Sequence, residues 1–125
     1  MRAWPLAFGV GGTITFGAQR VLVAGVTCMF ATSVDVGNRR VGVTIADSTG
    51  NIKLIVAASG TQAANDFVNY SFYDGLSSVD GGINKTVAWP PNLILEEGDI
   101  MTVGDLNGVS GTDSASAVVA VIEAL

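Results

Sequence analysis

No long stretch of this sequence repeats its apolar side chains at the 3.6-residue period of a helix, and glycines punctuate it along its whole length. The 16 glycines cut the chain into short segments, and most of these alternate or run apolar as strands do. The best helical stretch, residues 61–68, is a turn or two inside a loop. The chain is therefore read as all-β.

The segments themselves support that reading. Residues 20–31 are apolar on both faces and belong in the middle of a sheet. In residues 39–47, Val41, Val43 and Ile45 alternate with Arg40, Gly42 and Thr44. Asp47-Ser48-Thr49-Gly50-Asn51 is a turn, after which Ile52, Leu54 and Val56 alternate back, predicting a hairpin with one buried face. A slip of one residue would turn all six apolar side chains outward. Tyr70 and Phe72 share one face of a strand over residues 69–74. Residues 76–85 read as a polar loop and 86–89 as an edge strand. Pro90-Pro91 then lead into Leu93–Leu95, and Glu96-Glu97-Gly98-Asp99 turns the chain into residues 100–103, predicting a second hairpin. A closing strand over residues 114–125 puts Val118, Ala120 and Ile122 on one face. About eight strands at this spacing predict an antiparallel β-sandwich, jelly-roll-like, with an immunoglobulin-like sandwich as the alternative. Residues 1–19 read as an N-terminal arm with a possible first strand, and residues 20–125 as a single sandwich domain. At 125 residues the chain can bury a core without metal or disulfide.

Composition excludes several functions. There is no histidine, so a nucleophile such as a serine, or the lone Cys28, has no imidazole base. Cys28 lies in an apolar run and reads as a small core residue. Glu96, Glu97 and Asp99 are neighbours in a turn, which explains them better than acid–base catalysis does. Zinc sites prefer Cys and His, and with one cysteine and no histidine the chain is not expected to build one. Asp105, Asn107 and Asp113 offer oxygens to calcium, but the spacing lacks the rest of a calcium loop and reads as an inter-strand turn. The expectation is a protein that is not an enzyme, with no cofactor and no metal.

The net charge of −5, with six basic residues, argues against nucleic acid and against an anionic membrane as partners. The longest apolar run is too short to cross a bilayer. The first eight residues are similar to a signal peptide, but Met1 is retained, and synthesis in a cytoplasm is expected. Only 14% of residues are charged, well below the roughly 25–35% usual on free surfaces. Part of the surface is therefore expected to be covered by a partner. In the arm, Trp4, Leu6, Phe8 and Val10 alternate and are the candidate partner-binding residues.

The order of pieces Arg20-Val21-Leu22-Val23, Phe30-Ala31-Thr32-Ser33, Gly37-Asn38-Arg39-Arg40-Val41, Ile45-Ala46-Asp47, Tyr70-Ser71-Phe72, Pro91-Asn92-Leu93-Ile94-Leu95 and Glu97-Gly98-Asp99 resembles small structural proteins of tailed bacteriophages. These build head decoration, or cement, proteins on jelly-roll sandwiches. The resemblance spans residues 20–122 and rests on strand and turn signals. It implies a non-enzymatic virion protein on the capsid exterior that binds the major capsid protein and copies of itself, as a homotrimer. Alternatives are a carbohydrate- or receptor-binding sandwich, using Trp89, Tyr70 or Tyr73, and a head–tail connector or tail protein.

Overall fold

The computed structural model describes residues 3–7, 13–15 and 20–124. Along them run eleven strands: β1 (Ala3–Ala7), β2 (Thr13–Thr15), β3 (Val21–Ala31), β4 (Val41–Ala46), β5 (Ile52–Ala57), β6 (Phe67–Tyr73), β7 (Val79–Gly81), β8 (Asn84–Ala88), β9 (Leu93–Leu95), β10 (Ile100–Asp105) and β11 (Ser114–Ala124). They form two sheets. The larger has the order β1-β11-β3-β6-β8-β7, and the smaller β2-β10-β4-β5. Short β9 joins the larger sheet on the same edge of β3 as β6, pairing Val21–Val23 where β6 pairs Gly25–Ala31. The sandwich is thus present, though this strand order does not by itself define a jelly roll.

The sheets close on one core. Val26, Phe30, Tyr70 and Phe72 come from the larger sheet, and Val43, Ile45, Met101 and Val103 from the smaller. Two irregularities let the long strands keep facing it. Val21 and Val23 are buried, and so are Val26, Cys28 and Phe30. The change of parity is absorbed by a bulge, because Val23 pairs with Ile122 but Gly25 pairs with Val121, leaving Ala24 over. The Ala24 carbonyl is taken up by the Asp74 N–H at 3.1 Å. Next to it Gly25 is required: a Cβ there would sit 2.4 Å from the Phe72 carbonyl oxygen and 2.6 Å from the Tyr73 ring. A second bulge, at Ala117, lets Ala115 pack on the core ahead of Val118, Ala120 and Ile122. Ala117 adopts a left-handed φ of 49° to do so.

The β4–β5 hairpin forms as expected, with Val41, Val43 and Ile45 buried and Leu54 and Val56 packed on the core. Ile52 does not follow them. Ala46 pairs with Ile52 and Ile45 with Leu54, so Lys53 is the extra residue of a bulge, and Ile52 turns outward at 62% exposure. The second expected hairpin does not form. β9 belongs to the larger sheet and β10 to the smaller, so the Glu96–Asp99 turn carries the chain between sheets. The sheets are also not wholly antiparallel, since β8 lies parallel to β6. Residues 61–68 contain no helix, and the expected loop over 76–85 includes β7.

The N-terminal segment contributes a strand to each sheet. β1 pairs antiparallel with β11, setting Trp4 across from Ile122 and Leu6 across from Ala120. β2 pairs with β10. Phe8 and Val10 lie outside the described residues.

Candidate functional site

Most of the ionisable groups that sequence reading considered for chemistry are engaged by the fold, while Glu97 is exposed in its turn. Asp99, 3% exposed, accepts the Glu96 N–H and the Lys53 ammonium, both at 2.8 Å through Oδ2. It therefore ties the inter-sheet turn to β5. The Asp99 hydrogen bond holds the Lys53 amine above its usual range. Cys28 is buried, and burial pushes its thiol up to about 12, which leaves no thiolate at neutral pH.

At one end of the sandwich, the loops after β3, β5 and β10 meet around Arg39, whose side chain is fully buried. Its Nε donates to Asp113 Oδ2 at 2.9 Å, its Nη1 to the Gly37 carbonyl at 2.7 Å and its Nη2 to Ser33 Oγ at 3.2 Å. Asp113 also accepts the Ser33 N–H at 2.8 Å. Burial works against the Asp113 charge, but the bonds from Arg39 and Ser33 outweigh it and hold the carboxyl below the ordinary range. Asp105 accepts three backbone N–H groups, from Arg40, Asn107 and Val109. The calcium-type oxygens of Asp105 and Asp113 are thus occupied by N–H donors. Beside them an open cleft of about 430 Å³ separates β10 from β11, floored by Phe30, Val103 and Ala115.

Gln62 forms the next layer. Its backbone bridges Arg39, its Nε2 donates to the Phe30 carbonyl at 2.9 Å, and its Oε1 accepts the Tyr70 hydroxyl at 2.9 Å. Nothing in the sequence marked Gln62 or Arg39, because their partners are distant in the chain. Tyr70 and Trp89 were candidate sugar platforms, and the structure places both in the core. Trp89 is 3% exposed, donates its indole N–H to the Val23 carbonyl at 2.9 Å, and meets Phe72 edge-on. Neither ring can stack on a sugar.

What remains is the surface. Arg20, Asp47, Asp74, Glu96, Glu97 and Asp99 cluster at the end where β3 begins. Asp35, Arg39, Arg40, Asp66, Asp105 and Asp113 gather at the end where it finishes. Between these ends the outer sheet faces are almost free of charge. On the smaller sheet, Ile100, Thr102, Thr44, Ala46, Ile55 and Ala57 point outward in cross-strand rows. Leu106 lies over Gly42 at the end of that face. On the larger sheet, Met29, Thr27, Asn69, Ser71 and Thr86 do the same, with Glu123 the one outward charge of its strands among the described residues. Beyond the sheets, Val34 and Val36 stand out at 73% and 95% exposure.

Comparison with models of known protein families, with curated protein sequences and with solved structures finds no match to this chain.

Proposed function

We propose that this chain is a structural, non-enzymatic virion protein that binds and stabilises a phage capsid shell from the outside, as a decoration protein. The observation that supports it best is the segregation of charge: two broad outer sheet faces carry Thr, Ser, Asn, Ala and Ile, while most of the ionisable groups sit at the ends, Glu123 being an outward exception and the Lys85–Asp80 pair lying at the β7–β8 margin. Uncharged sheet faces cost little to desolvate and suit flat protein–protein contact. The ionisable side chains point the same way, since Arg39, Asp99, Asp105 and Asp113 serve the fold. In this reading β1, which bears Trp4 and Leu6, adds to the contact from the edge of the larger sheet. Removing residues 1–19 would take a strand from each sheet, so point substitutions probe that contact more cleanly than truncation.

The test is quantitative mass spectrometry of purified particles, giving copies of this chain per copy of the shell protein. A ratio of the order of one supports a decoration role. A ratio of a few copies per particle transfers the chain to the connector or tail. Absence from particles overturns the virion reading.

A further inference from the structure

Strand β5 is an open edge: among the described residues β4 is its one strand neighbour. Natural proteins guard such edges with charge, most often lysine, because unpaired backbone groups recruit other strands. The one charge on β5 is Lys53, and it is removed from guard duty twice. It occupies the bulge, and its ammonium is held by Asp99 at 2.8 Å within the same chain. The rest of the strand, Leu54-Ile55-Val56-Ala57, is uncharged, with Ile55 outward at 47% exposure.

The charges flanking this edge differ at its two ends. At the Ala57 end the Arg40 guanidinium reaches toward β5 and donates to the Ala58 carbonyl at 2.7 Å. At the Ile52 end the Asp47 carboxylate caps the β4–β5 turn, accepting N–H groups of Thr49 and Asn51. An antiparallel partner running along β5 with the same sequence sets its Arg40 end beside the Asp47 end and its Asp47 end beside the Arg40 end, with the two β5 strands between them. A parallel copy sets like charge on like. The two ends of the sandwich both carry an excess of carboxylates, so end-to-end contact between copies is repelled.

We infer that two copies of this chain pair through β5, antiparallel about a two-fold axis near Ile55, joining their four-stranded sheets into one continuous sheet. The occupant of the edge is a second copy because the backbone ladder is self-complementary under a two-fold axis, and the two charges that flank β5, Arg40 and Asp47, favour that sense over the parallel one. The inference stands on the strand edge and is independent of the virion reading. It places a two-fold contact where the resemblance implied trimers.

The experiment is light scattering on the purified full chain across micromolar to submillimolar concentration. The expected species has twice the 12.8 kDa chain mass. A mass of one or three chains throughout overturns the inference. I55K points a cation at its own copy across the axis and is expected to yield monomer with an unchanged far-UV spectrum. V79K, on the exposed strand β7 at the edge of the other sheet, is expected to leave the dimer intact. A dimer that survives I55K, or is lost in V79K alone, overturns the pairing. Independently of those, D47N keeps the turn's acceptor but removes the charge. It is expected to weaken dimerisation roughly twofold at low salt and not at high salt, a screened attraction across the two β5 strands being lost at each end. No change in D47N overturns the antiparallel sense.

Discussion

The Arg39 guanidinium and the Asp113 carboxylate meet at 2.9 Å although 74 positions separate them, and both side chains are almost wholly buried. A buried pair of this kind adds little net stability over an apolar pair, but losing one partner strands the other charge. R39A therefore leaves Asp113 buried with the Ser33 contacts alone. Urea unfolding is expected to show a loss of about 3–5 kcal/mol. R39M with D113L, which removes both charges, is expected to recover most of it.

The same pair sets the acid limit of the fold. The Asp113 carboxyl is held below its ordinary value in the folded chain, so its contribution is complete above the unfolded value of about 3.9. That contribution is lost as pH falls from there through the folded value. Stability measured between neutral pH and strong acid is expected to drop below about pH 4. In D113N that part of the slope disappears, from a lower starting stability.

The two bulges carry opposite substitution rules. At Ala117 the left-handed φ of 49° strains any residue with a Cβ. A117G is expected to raise stability by up to about 1 kcal/mol, the relief of strain being partly offset by glycine's greater freedom when unfolded. At Gly25 the Phe72 carbonyl occupies the space a Cβ needs. G25A is expected to cost about 1–3 kcal/mol or more. Thermal melts of the two variants, shifting in opposite directions, check both.

Cys28 is 3% exposed, its thiol is pushed up to about 12, and it faces the core between the sheets. A thiol reagent at neutral pH is expected to leave the native chain unlabelled and to modify it fully in denaturant. Labelling under native conditions should track unfolding, so R39A labels faster than the parent.

The strands that were legible in the sequence are those with one buried face and a clean two-residue period. Val41, Val43 and Ile45 needed no partner to identify them, and Val118, Ala120 and Ile122 read equally well. Ile52 misled, because the bulge at Lys53 changes the parity and no residue type announces it. The Glu96–Asp99 turn misled for another reason: Gly98 and Asp99 reverse the chain equally well within one sheet or between two. The parallel β6–β8 pair was hidden because strand direction is decided by the connection, here the excursion through β7. The polar end was legible only as Asp105, Asn107 and Asp113, read as oxygens in an inter-strand turn, and its buried centre was not. Arg39, Gln62, Asp105 and Asp113 are ordinary residues until the fold brings their loops together. The charge-poor faces were visible only as a low overall charge, with their location supplied by the sheets.

The central strand has a consequence in time. Every neighbour of β3 lies downstream of it: Cys28 pairs with Tyr70, Leu22 with Ile94, Ala31 with Ser114 and Val21 with Ala124. On a ribosome adding about 5–20 residues per second, β3 emerges early and waits several seconds for its last partner. During that wait its apolar faces are bare, while β4 and β5 can already form their local hairpin. The β4–β5 hairpin is the natural first structure, and the closure of β11 on β3 the last. Slow closure of distant pairs, rather than any weakness of the finished sandwich, is then the step at which this chain is most exposed to misassembly.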